Sequence, residues 1–131
     1  MARTAAVRRA PAADFAATFR QLKAILEPYA DRLRVAQDKP HNYYLEVKDK
    51  FCCGKPVFFA SVRSGKAYVS FHLFPLYICP EMAAGISPQL KKRMQGKTCF
   101  NFTAPDAPLF AELSRLTADG LKRLKAVKLP E

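Results

Sequence analysis

Residues Pro56 to Pro80 read PVFFASVRSGKAYVSFHLFPLYICP. Two apolar runs, Val57–Arg63 and Lys66–Phe74, flank the dipeptide Ser64-Gly65. Short runs rich in β-branched and aromatic residues, joined by a glycine-containing dipeptide, predict a β-hairpin. Side chains alternate along a strand, so Ala67, Val69, Phe71 and Leu73 share one face and Tyr68, Ser70, His72 and Phe74 the other. The first set is core. The second is half polar and half aromatic, which makes this hairpin the centre of a sheet and the expected wall of a binding site. Phe74-Pro75 breaks or bends the strand ahead of Leu76–Cys79, a second apolar segment expected to be extended.

Upstream, Tyr43, Leu45 and Val47 alternate with Tyr44, Glu46 and Lys48, the pattern of a half-buried strand. With Leu33–Gln37 and the polar turn Asp38–Asn42 it predicts another hairpin, and residues 49–56 (DKFCCGKP) predict a connector marked by Gly54 and Pro56. Before these, a helix runs from the cap Asp14 to about Ala30, with Phe15, Phe19, Leu22, Leu26 and Tyr29 as one apolar stripe and Ile25 beside it. Pro28 is costly inside a helix, so the helix either ends near Glu27 or closes in a short last turn.

Downstream, Pro80 and Glu81 open a helical turn, and Ser87-Pro88 start a short basic helix that Gly96 stops. Thr98–Phe102 is a strand with Phe100 and Phe102 on one face and Cys99 and Asn101 on the other. A last helix runs from about Ala107 to Val127, with Leu109, Leu113, Leu116 and Leu124 as its stripe and Phe110 and Leu121 flanking. The expected fold is α+β: a two-layer sandwich in which an antiparallel sheet of about five to six strands carries the N- and C-terminal helices on one face.

The chain has 131 residues, enough for one domain of ordinary size; a basic tail over 1–13, expected to be disordered, precedes a domain over 14–131. No apolar run reaches membrane-spanning length, and the N-terminus has no apolar core of signal-peptide length. Four cysteines without a secretory signal suit a reduced, cytoplasmic setting, where Cys79 and Cys99 pack as small hydrophobes. Adjacent Cys52 and Cys53 have neither disulfide nor CxxC spacing. The net charge of +11 favours anionic partners, although Lys and Arg are dispersed along the chain.

Gly54 and Pro56, the hairpin, then His72, Tyr77 and Pro80, resemble the pattern of the YdhG-like family of small domains, and Lys91–Phe102 is similar to its later helix, glycine and strand. The resemblance covers roughly residues 14–126. It implies a two-layer α+β fold related in outline to frataxin. Much of that family has no assigned function, and one bacterial branch is described as a frataxin-like iron chaperone. Iron delivery of the frataxin kind uses a ridge of carboxylates, whereas the first helix here offers only Asp14, Glu27 and Asp31.

His72 is the residue with the widest chemistry, as base, hydrogen-bonding group or metal ligand, though a strand histidine beside aromatics is ordinarily a packed one. No nucleophile sits in a recognisable elbow, and the reading leans away from an enzyme. Gly96-Lys97-Thr98 lacks the upstream glycine of a phosphate loop, with Lys91 in its place. The expectation is a non-catalytic module that binds a small anionic ligand or a protein partner through Lys55, Tyr68, His72, Tyr77 and Lys97, with no cofactor. The alternatives are an iron chaperone, and a nucleic-acid binder that stacks bases on Tyr43 or Tyr44.

Overall fold

Asp14 starts the first helix as expected: its carboxylate accepts from the Ala17 N–H at 3.0 Å, and its carbonyl accepts from the hydroxyl of buried Thr18. The computed structural model describes residues 14–52 and 54–127. The tail expected over 1–13, Cys53 and residues 128–131 lie outside that range, as do the side chains of Asp49 and Cys52. Helix α1 spans Phe15–Leu26, and a 3₁₀ turn, Glu27–Tyr29, takes Pro28 where the α-helix could not. Phe19, Leu22 and Leu26 are buried, with Phe15, Ile25 and Tyr29 packed beside them.

Strands β1 (Arg34–Lys39) and β2 (Asn42–Cys52) form an antiparallel hairpin closed by Pro40-His41. The turn is tighter than the sequence predicts because Lys39 pairs with Asn42. The predicted connector over 49–56 is itself largely strand. β2 continues to Cys52, β3 (Lys55–Ser64) starts at once, and Gly54 at φ +82° supplies the left-handed backbone of the turn. Pro56 is tolerated near the start of its strand, opposite Phe51, where the register is already irregular.

A bulge in β3 decides which side chains face where. Leu45 pairs with Ala60 and Glu46 with Phe58, leaving Phe59 without a partner on β2. Phe59 and Ala60 both turn inward and are fully buried, so strict alternation is broken once. Val57, Phe59, Ala60 and Val62 face the core, while Phe58, Ser61 and Arg63 lie on the opposite face with Glu46, Tyr44 and Asn42.

β4 (Val69–Leu73) pairs with β3 from Ser64↔Val69 to Ala60↔Leu73. The turn is therefore Gly65–Tyr68, closed by Gly65 N–H donating to the Tyr68 carbonyl at 2.9 Å, and not Ser64-Gly65. Ala67 and Tyr68 sit in this loop instead of continuing the strand faces. Leu76–Cys79 is not extended either: Pro75 opens a short helix, α2 (Pro75–Ile78), and Cys79 follows it, buried. A 3₁₀ turn, Pro80–Gly85, leads to α3 (Pro88–Lys91), where the Ser87 hydroxyl accepts from the Leu90 N–H.

Gly96 does not stop a helix. α3 ends at Lys91, and Met94–Gln95 forms a short edge strand, β5, paired with β6 (Cys99–Phe102). Gly96 takes φ +76° in the turn between them. Among the described residues the sheet is antiparallel and six-stranded, in the order β1-β2-β3-β4-β6-β5. The final helix, α4 (Ala107–Ala126), is capped by Asp106 and buries Leu109, Phe110, Leu113, Leu121 and Leu124.

Both long helices cover the same face of the sheet. They also start at the same end, because the Asp14 N–H donates to the Thr103 carbonyl just ahead of the α4 cap. The core between the layers is led by the fully buried Phe59, Phe71, Phe100 and Leu22, with Phe102 edge-on to Phe110 at 4.9 Å. Burial of this apolar face fixes the register, since a one-residue slip would turn every core side chain outward.

Candidate ligand-binding face

The sheet face away from the helices is where polar and aromatic side chains gather. Strand pairing places Gln37 and Lys39 (β1), Asn42, Tyr44 and Glu46 (β2), and Phe58, Ser61 and Arg63 (β3) on it. Ser70 and His72 (β4), Asn101 and Cys99 (β6), and Gln95 (β5) complete it. The Leu73 N–H donates to the Thr98 carbonyl at 2.9 Å, so Leu73 and Thr98 form a hydrogen-bonded position. The adjacent pairs His72↔Cys99 and, two residues on, Ser70↔Asn101 are then non-hydrogen-bonded positions, in which side chains approach most closely.

A concavity of about 390 Å³ opens over the middle of this face, lined by Tyr44, Ser61, Arg63, Ser70, His72 and Cys99, with Gln37 and Asn42 at one end. A second, of about 400 Å³, shares Arg63 and Ser70 with it and runs under the Gly65–Tyr68 turn past Lys66. A third, of about 380 Å³, shares Tyr68 with the second and continues to Lys92, Arg93, Gln95 and Asn101. Together they form one open trough across the strands.

Hydrogen bonds among side chains hold its floor. Asn42 Nδ2 donates to Gln37 Oε1 at 2.6 Å, Ser70 Oγ to Asn101 Oδ1 at 2.8 Å, and Asn101 Nδ2 to Gln95 Oε1 at 2.7 Å. The Tyr68 hydroxyl donates to the same Gln95 oxygen at 3.2 Å. Aromatic packing forms the other part. Tyr44 stacks on Phe58 at 4.7 Å, the His72 ring stands edge-on to Phe58 at 4.9 Å, and Phe74 extends the row toward exposed Tyr77.

These surroundings set the electrostatics. Burial beside Phe58 pushes the His72 imidazole below its usual range, so its neutral form is favoured. Burial, with the Glu46 carboxylate behind it, raises the Tyr44 phenol and keeps it protonated. Glu46 faces Arg34 at 3.6 Å. Among the described residues placed on this face by strand pairing it is the one carboxylate, while Lys39 and Arg63 lie on the same face and take part in no salt bridge. The face therefore presents net positive charge, hydroxyls, amides and aromatic rings.

Of the sequence-predicted residues, His72 lines the central concavity and Tyr68 the other two. Tyr77 is 60% exposed and joins them only through the Phe74–Phe58 row. Lys55 begins β3 and Lys97 lies in the β5–β6 turn; both are exposed, and neither lines the trough. Tyr43, one of two predicted stacking residues, is core: its ring is buried beneath Lys23, and only Tyr44 reaches the open face. Sequence reasoning missed Arg63, Gln37, Asn42 and the Asn101–Gln95 pair. Arg63 was accessible in principle, since it follows inward Val62 by one residue.

Among the described residues no three of His, Cys, Asp and Glu gather as metal ligands, and no described helix is long and apolar enough to cross a membrane. No family model, curated protein or solved structure matches the chain.

Proposed function

We propose that this chain is a binding module that takes an anionic ligand on the uncovered face of its sheet. The observation that carries the reading is the position of Arg63, in no salt bridge among the described residues and shared by two concavities, in line with Asn42 and Ser70 and one cross-strand row from Ser61 and the Tyr44 and His72 rings. An arginine fork supplies directed donors for carboxylate or phosphate, hydroxyls supply further donors, and the rings supply contact area. The same reading treats the chain as a YdhG-like domain whose task is recognition rather than turnover.

The test is thermal unfolding of the full chain with citrate, pyrophosphate and ADP, each titrated to saturation. A ligand present at about a hundred times its Kd stabilises the folded state by about 2.7 kcal/mol. At least one of these anions is expected to raise Tm in the parent and not in Arg63→Ala. Equal shifts in parent and variant, or none in either, would overturn the proposal.

A further inference from the structure

Resting on that reading, we infer that the ligand class is single-stranded nucleic acid lying along the trough from Tyr44 to Arg93. A compact anion would be met by cations converging on one point. Here Arg63 and Lys66 stand at the middle of the trough and Lys92 and Arg93 at its far end, so positive charge follows a line. Crossing from β2 to β5 covers four strand spacings, roughly 19 Å at about 4.8 Å each. That length suits a few phosphates in succession and falls at the small end of the sites found on single-strand-binding domains, on the order of four nucleotides.

The surface between the cations fits bases. Tyr44, His72 and Tyr68 supply π faces along the path, and every base has a face that can stack. The floor's hydrogen bonds use Asn42 Nδ2 and Gln95 Oε1, and the other halves of those amides, Asn42 Oδ1 as acceptor and Gln95 Nε2 as donor, suit exposed base edges. The trough is open and shallow and has no projecting helix to enter a duplex groove, which favours the single strand. Among the described residues that strand pairing places on this face, the one carboxylate, Glu46, is already engaged by Arg34.

The experiment is fluorescence anisotropy of the full chain with labelled dT and U oligonucleotides about a dozen bases long, and a matched duplex, from about 50 to about 200 mM salt. Single strands are expected to bind more tightly than the duplex. The log–log salt slope should be about −0.7 for each phosphate neutralised, and should flatten by about 1.4 in the Arg63→Ala/Arg93→Ala double variant. Tyr68→Ala should weaken binding about tenfold through lost stacking. Lys122→Ala/Lys125→Ala, exposed on α4, should change it less than about twofold; circular dichroism of each variant guards against misfolding.

Tighter duplex binding, or a larger loss from the α4 pair than from the trough pair, would overturn the inference. If no oligonucleotide binds while a small anion still stabilises the parent through Arg63, the inference fails and the binding-module reading survives. Failure of both probes removes both.

Discussion

Glu112 of α4 holds Ser87 with both carboxylate oxygens: Oε2 accepts from the Ser87 N–H and Oε1 from its hydroxyl, each at 2.7 Å. The Ser87 hydroxyl oxygen accepts in turn from the Leu90 N–H, so one carboxylate fixes the cap of α3 and ties the irregular segment between β4 and β5 to the long helix. Hydrogen bonds to a charged acceptor are each worth about 1.5–3 kcal/mol. Glu112→Ala should lower unfolding free energy by about 3 kcal/mol in urea melts, and Glu112→Gln, which keeps one acceptor, by about half that.

Gly120 is the second tie between these parts. A Cβ there would stand 3.1 Å from both Cβ and Cγ of buried Pro75 and 3.4 Å from the Met82 terminal methyl. The methionine can move, but the proline ring is held by its own packing. Gly120→Val should cost about 2–3 kcal/mol through overpacking. Gly120→Ala should fall near neutral, since about 1 kcal/mol of helix propensity opposes the contact. Chemical denaturation of both variants separates these outcomes.

His72 should make stability depend on mild acid. Its folded-state pKa is depressed by burial, so below the unfolded value of about 6.5 the unfolded chain binds more protons than the folded one. Stability is then complete above that value and declines as pH falls from it toward the folded-state pKa. His72→Gln should flatten that decline, read as the urea midpoint at about pH 7.5 against about pH 5.5. A parent whose midpoint changes no more than that of His72→Gln would show the imidazole to be effectively solvated.

Lys23 and Asp38 join α1 to the edge strand β1 at 3.0 Å, and the ammonium also lies 4.9 Å from the Tyr43 ring centroid. The hydrogen bond to Asp38 is the main reason the lysine is held above its usual range. Asp38 is largely exposed, so Asp38→Asn should cost less than about 1 kcal/mol, and the difference should shrink in high salt.

Elements with one strong periodicity were readable from the sequence. The stripe of α1, the alternation of β2, the Ser87-Pro88 start of α3 and the reach of α4 all depend on local spacing and capping. The misplaced features depend on partners far along the chain. Gly65–Tyr68 is a loop because Val69 must meet Ser64 and Phe102 at once, which nothing in the dipeptide Ser64-Gly65 reveals. Gly96 looks like a helix stop until β5 is seen to pair with β6. For the candidate site, His72 follows from the alternation of one strand, whereas Tyr68 reaches the trough from the loop, and Arg63 and the Asn101–Gln95 pair need the register of several strands to be known together.

The unpaired Phe59 sets a rule for length changes in this chain. β3 faces two ways with a half-step at its middle, and that half-step alone lets Val57 and Val62 point inward while Phe58 and Arg63 point out. Deleting Phe59 would remove the half-step and restore strict alternation, with Ala60 and Phe58 adjacent opposite Leu45 and Glu46, so Val57 and Val62 would stay inward and Phe58 and Arg63 outward. Deleting one residue from the regular strand β4 would instead exchange core and trough for everything on one side of the cut. In a library of single-codon deletions, folded survivors should therefore be found at Phe59 and in the Gly65–Tyr68 loop and be missing from Val69–Leu73.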